Sequence, residues 1–213
     1  MNQAVRKIAA GMGLMLGLAE MTHATFEALQ GNAPTSGLII QAIGPAQRMW
    51  VHGTEEALTL IPNYLATGLL GLLVSLAIIV WSVRFLDRKH GPTVLILLFM
   101  LSVLVGGGIA QVVFFTLAWA LATRIHSSLG WLRKLLPERL RRWLAPLWSF
   151  SLAAVLILFL CALEIAVWGQ VPGIQDPELK LHLCWSLLGL ALVLNLFTCL
   201  AGVASDLQAK QKE

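Results

Sequence analysis

Four long apolar runs, each with at most one charged residue, alternate with short charged segments along the chain. They extend over residues 64–83, 93–123, 146–168 and 181–204. A helix needs about 20 mainly apolar residues to cross the hydrocarbon core of a bilayer. The pattern therefore predicts an all-α integral membrane protein with one transmembrane domain over residues 1–213.

Residues 8–29 predict a further span that carries polar residues in its second half. The alternative is a cleaved secretory signal, because two basic residues precede an uncharged stretch that ends in small residues at Ala19. We favour the span, because apolar residues continue beyond Ala19 and the polar ones share a separate helix face. Those polar residues are Glu20, His23 and Glu27.

The run over 93–123 is too long for one crossing and too short for two. It has no charge, and Gly106, Gly107 and Gly108 lie at its middle. As one helix it would be about 46 Å long, against a hydrocarbon core of roughly 30 Å. It therefore forms either a strongly tilted single span or a re-entrant hairpin that turns at the glycines inside the bundle.

The distribution of Lys and Arg favours the re-entrant hairpin. If the segment returns to its starting side, thirteen of the fifteen Lys and Arg residues share one side, and only Arg48 and Lys180 remain on the other. Lys and Arg accumulate in cytoplasmic loops. The predicted arrangement is thus a bundle of about four full spans and a central hairpin, multi-pass in a bacterial cytoplasmic membrane, with both termini cytoplasmic.

Two segments are predicted to lie outside the spans. Residues 30–62 form an outer loop, in which Thr54 is expected to cap a short helical turn. Residues 128–143 form a basic amphipathic helix in the headgroup plane, bent or divided at Pro137. Its side chains predicted to contact anionic headgroups are Arg133, Lys134, Arg139, Arg141 and Arg142.

Composition agrees with a membrane protein and excludes several other classes. Charged residues make up only 12% of the chain, against about 25% in soluble domains. The net charge of +4 is explained by cytoplasmic loops and does not indicate nucleic-acid binding. The chain has no hydrolase, nucleotide-binding or zinc-protease motif, so we predict no cofactor.

Polar side chains converge on the outer end of the predicted bundle. In the first span they recur at i, i+3 and i+7, which places them on one face. A charge at this depth costs several kcal/mol unless it has a partner. The cluster could hold a metal ion through His23, His52 or His182, bind a proton or cation, or form simple ion pairs. Its members are Glu20, His23, Glu27, His52, Glu55, Glu164 and His182.

Three functions remain open from the sequence. The first is a non-enzymatic accessory or interaction protein, which lies in an anionic bilayer and binds a membrane-protein partner or a second copy. The second is a small transporter or channel that uses the break at Gly106–Gly108. The third is a metal-binding or ligand-binding protein, or an enzyme, at the outer Glu/His cluster.

Overall fold

The computed structural model describes residues 1–211, which fold mostly into helices. Three short strands interrupt them: β1 (Ile39–Gln41), β2 (Glu56–Thr59) and β3 (Val105–Gly108). One-turn 3-10 helices lie at Ile109–Gln111 and Ala145–Leu147. The α-helices are α1 (Gln3–Leu29), α2 (Tyr64–Arg84), α3 (Gly91–Leu104), α4 (Val112–Ala122), α5 (Gly130–Leu135), α6 (Glu138–Leu144), α7 (Trp148–Trp168) and α8 (Pro177–Ala209).

Within residues 1–211, three helices are long and apolar enough to cross a membrane: Tyr64–Arg84, Glu138–Trp168 and Pro177–Ala209. The second of these is the continuous run of α6, the 3-10 turn at Ala145–Leu147 and α7. Large apolar side chains on their outer faces are exposed, as at Phe150 and Val193. Soluble proteins rarely expose large contiguous apolar surfaces. The prediction of a mostly helical chain with helices long and apolar enough to cross a membrane is confirmed.

Helix α1 is the central helix of the bundle. It packs against α2, α4, α7 and α8, and Ile8, Met12 and Leu16 are fully buried in the main core. A Cβ on Gly17 would lie 2.6 Å from Cγ1 of Ile79 in α2. Small residues therefore let α1 and α2 approach closely.

A side chain near the end of α8 caps the N-terminus of α1. The side-chain oxygens of Asp206 accept hydrogen bonds from the backbone N–H groups of Ala4 at 3.0 Å and Val5 at 2.9 Å. These are helix-terminal donors that lack a partner within α1. Helix α8 extends to Ala209, beyond the span predicted over 181–204. Both helix ends lie at the same end of the bundle.

The segment 93–123 folds as a helical hairpin rather than as one helix. Helices α3 and α4 are joined by β3 and a 3-10 turn, and Phe99 stacks on Phe115 with ring centroids 4.3 Å apart. Nε2 of His126 lies 2.8 Å from the carbonyl oxygen of Asp87. Asn2 donates to the carbonyl oxygen of Arg124, and Nζ of Lys210 donates to that of Ser127. Both ends of the hairpin therefore lie at the same end of the bundle as the start of α1 and the end of α8.

The outer loop contributes strands instead of the predicted helical turn at Thr54. Strands β1, β2 and β3 form an antiparallel sheet in that order, with Ala57 opposite Gly108. The N–H group of Leu60 donates to the carbonyl oxygen of Leu104 at 2.9 Å. The turn prediction is wrong because the glycine-rich strand exposes backbone groups inside the bundle, and β2 supplies the partners that they require.

The basic segment divides at Pro137, as predicted. Leu136 is extended, with ψ of 95°, as the residue before a proline prefers. The side chain of Arg141 is buried, so it lies out of reach of lipid headgroups. The other four predicted headgroup contacts are exposed, namely Arg133, Lys134, Arg139 and Arg142.

Candidate functional site

Three polar side chains of α1 face the interior of the bundle. Glu20, His23 and Glu27 are only 3%, 3% and 0% exposed. Their spacing places them on one face over two turns, about 10 Å along the helix. This is the face that the sequence predicted, and the structure turns it toward strand β3.

Strand β3 lies directly against these side chains. A Cβ on Gly107 would lie 2.5 Å from Oε2 of Glu20 and 2.6 Å from the carbonyl oxygen of Ser102. A Cβ on Gly106 would meet the carboxylate of Glu27, and Gly106 has φ of +106°, which disfavours any other residue. The glycine triplet thus does more than turn the chain, because its missing side chains make room for the polar face of α1.

The outer loop adds a fourth polar side chain, Glu55. Its Oε2 lies 2.8 Å from Nε2 of His23, and its carbonyl oxygen accepts from the N–H group of Ala42 at 2.9 Å. Burial opposes ionisation of Glu55, but attraction to His23 and the hydrogen bond between them lower its pKa below the ordinary value of 4.5. We call Glu20, His23, Glu27 and Glu55 the Glu/His centre.

Several buried polar atoms at this centre have no hydrogen-bond partner among residues 1–211. Both carboxylate oxygens of Glu27 lack one, as do Oε1 of Glu20 and Nδ1 of His23. Oε1 of Gln111 is also unpartnered, and this side chain lies next to Gly108. Buried polar groups are nearly always hydrogen-bonded, so these five atoms require partners other than the described side chains.

Gln111 was not predicted as a site residue. From the sequence alone, it is interpreted as a residue that hydrogen-bonds between helices, as single polar residues in membrane spans commonly do. One signal was available, since Gln111 is the first polar residue after the glycine triplet in an otherwise apolar run.

Two adjacent cavities reach the Glu/His centre. One has a volume of 280 Å³ and is mostly apolar, and the other has a volume of 140 Å³ and opens toward the outer loop. They share Glu55 and lie between α1, α4, α7 and α8. We call them together the cleft. Ligand sites typically have volumes of roughly 300–1,000 Å³, and the cleft is of this size.

The other predicted site residues do not join this centre. His52 pairs with Glu178, with Nε2 and Oε1 2.8 Å apart, while Glu164 and His182 are exposed on the outside of the bundle. His23, His52 and His182 therefore do not meet. Within residues 1–211, no group of three or more His, Cys, Asp or Glu side chains is arranged to hold a metal ion.

The chemistry available at the centre is that of three carboxyl groups around one imidazole. Carboxyl and amide oxygens outnumber the N–H groups of the imidazole at this centre, so it offers mainly hydrogen-bond acceptors and favours a ligand that donates hydrogen bonds. No protein-family model, curated protein or solved structure matches the chain.

Proposed function

We propose that this chain is a membrane-embedded ligand-binding protein whose site is the Glu/His centre. The observation that carries the proposal is the unpartnered buried atom Oε1 of Gln111, on a residue that lines the cleft together with Glu55. A ligand with a cationic, hydrogen-bond-donating group would satisfy Oε1 of Gln111 and the carboxylate of Glu55 together.

The packing below the centre supports binding over passage through the bundle. Met12, Leu16, Phe99 and Phe115 are buried there in one apolar cluster, and such interiors are close-packed. A transporter or channel that uses the Gly106–Gly108 break would need a polar route through this cluster. The accessory or interaction function remains a prediction from composition alone.

The proposed topology has four full spans, α1, α2, α7 and α8, with the α3–α4 hairpin re-entrant between them. The bond from His126 to Asp87 and the cap of α1 by Asp206 support it, because they bring both hairpin ends and both terminal helix ends together. With thirteen of the fifteen Lys and Arg residues at that end, we propose that it faces the cytoplasm of a bacterial cell.

Cysteine accessibility tests the topology. Single cysteines at Asp87 and Ser127, on a background that lacks Cys161, Cys184 and Cys199, are expected to react with an impermeant thiol reagent from the same side in oriented vesicles. A further probe at Gly169 should react from the opposite side. Labelling of positions 87 and 127 from opposite sides would refute the re-entrant hairpin.

Thermal unfolding in lipid nanodiscs tests the binding function, with butylammonium chloride as the probe and sodium chloride as the ionic-strength control. Butylammonium should raise the melting temperature of the wild type to a plateau, because a ligand that binds only the folded state stabilises it. Gln111→Met should abolish this rise without lowering basal stability, because it removes a buried acceptor that has no partner. Equal responses of the wild type and the variant, or no response of either, would refute the function.

A further inference from the structure

The cleft continues from the Glu/His centre into the apolar middle of the bundle. The larger cavity is lined below Glu55 and Gln111 by Phe114, Phe159 and Leu192. A volume of 280 Å³ equals that of about nine water molecules at roughly 30 Å³ each. A small cation at the centre would leave this apolar part unused, so its volume requires a ligand with an apolar extension.

The cleft is open to the side, toward the lipid-facing surface. Val113 in α4 and Trp185 in α8 both line it, and their side chains are 52% and 61% exposed. Gly189, also in its lining, has no atom within 4 Å of the position that a Cβ would occupy. An apolar chain can therefore enter from the bilayer between α4 and α8 without passing through water.

The polar end of the cleft selects the sign of the head group. His23 and Glu55 line the upper cavity, with Glu20 and Glu27 behind them on α1. In the outer loop, Arg48 donates to Oε1 of Gln41 at 3.4 Å and does not bond to these carboxylates. The carboxylate of Glu55 and the unpartnered Oε1 of Gln111 both accept hydrogen bonds, so an ammonium group fits this end, whereas a carboxylate or phosphate head would place acceptors against acceptors.

Resting on the ligand-binding function proposed above, we infer that the ligand is a single-chain amphiphile with a cationic amine head. The head lies at Glu55 and Gln111. The tail occupies the apolar part of the cleft beside Gly189 and reaches it laterally from the bilayer.

Photolabelling in zwitterionic nanodiscs tests this inference, with dodecylamine that carries a diazirine in its tail as the probe. Labelled peptides should come from α4 and α8, around Val113 and Leu192. Gly189→Leu should fill the cleft and reduce labelling about tenfold. Val193→Phe adds the same number of carbon atoms on the lipid-facing side of α8, where Val193 is 65% exposed, and should leave labelling unchanged.

The outcomes separate the tail inference from the proposed function. Gly189→Leu should still be stabilised by butylammonium, because the short amine uses only the polar end. If dodecylamine labels this variant as strongly as the wild type, or labels all lipid-facing helices evenly, the tail site is refuted while the binding function stands. If dodecanoate competes as well as dodecylamine, the cationic head is refuted. If butylammonium itself fails to bind, the proposed function fails first.

A second variant covers the case in which Gly189→Leu does not fold. Ala110 lines both cavities and its side chain is exposed. Ala110→Leu should therefore obstruct the cleft from the opposite wall and give the same loss of labelling. Full labelling of this variant would again refute the tail site.

Discussion

Two histidine–glutamate pairs lie at the outer end of the bundle, and in each the nitrogen and oxygen are 2.8 Å apart. In the first pair the side chains of His23 and Glu55 are 4% and 33% exposed, and in the second those of His52 and Glu178 are 30% and 66% exposed. The first pair faces a glycine strand and two further buried carboxyl groups. The second connects the outer loop to the start of α8 near solvent.

The comparison shows that distance alone does not measure the strength of an ion pair. In an exposed pair, the attraction between the two charges is nearly cancelled by the hydration that they lose, so the pair contributes about 0–1 kcal/mol to the free energy of unfolding. Removing one member of a buried pair leaves the other as a desolvated charge, at a cost of about 3–5 kcal/mol. The two pairs should therefore respond very differently to the same mutation, and each prediction below tests that difference.

The largest effect is expected where the enclosure of the buried pair is broken. Gly107→Val would force a side chain into Glu20 and the backbone of Ser102, and we expect a loss above about 4 kcal/mol, so that little folded protein is recovered. Fluorescence-detected size-exclusion chromatography measures that yield. Gly189→Ala is the matched control, because nothing lies near its Cβ position. A normal yield and melting temperature for Gly107→Val would show that β3 does not enclose the centre.

Removal of the buried imidazole should have the next largest effect. His23→Ala leaves Glu55 and the neighbouring carboxyl groups without their positive partner, and we expect a loss of about 3 kcal/mol in the free energy of unfolding. Thermal or denaturant unfolding in detergent measures it. Adding Glu55→Gln should recover part of the loss, because it removes the charge left unpaired. A loss no greater than that for His52→Ala would remove the distinction between the pairs.

The buried pair should also give the protein a distinct acid response. The pKa of Glu55 is lowered in the folded state, so its contribution to stability is complete above the ordinary value of 4.5 and is lost as the pH falls through the lowered value. Melting temperatures of the wild type and Glu55→Gln should therefore differ most above pH 4.5 and converge below it. Curves that stay parallel through this range would contradict the assignment of a lowered pKa.

The smallest effect is expected at the exposed pair. His52→Ala should cost at most about 1 kcal/mol, and added salt should reduce the difference further. Melting temperatures at low and high ionic strength measure both quantities. A loss close to that of His23→Ala would mean that the loop–α8 contact is an essential part of the fold.

The sequence was sufficient for features that depend on periodicity and charge. The polar face of α1 follows from the spacing of Glu20, His23 and Glu27, and the structure turns that face inward. The split at Pro137 follows from the missing N–H group and fixed φ of proline. Lys and Arg placement favoured a segment that returns to its starting side, which stays a proposal that the contact between His126 and Asp87 supports.

Features that depend on packing could not be predicted. Glu164 and His182 were assigned to the cluster by depth alone, but depth does not specify how a uniformly apolar helix is rotated about its axis, and both residues face outward. Strand β2 has only four residues, too few for a clear alternation. Its formation depends on β3, which lies about 50 residues further along the chain.

The contact between Asp206 and the start of α1 also constrains how the protein is made. Ala4 and Asp206 are 202 positions apart, so at about 5–20 residues per second the ribosome needs roughly 10 to 40 s to synthesise the residue that caps the central helix. During that interval the backbone N–H groups of Ala4 and Val5 lack the acceptor that Asp206 provides in the folded chain. A chain truncated before Asp206 therefore keeps all other residues of α1 but lacks the group that caps its first turn.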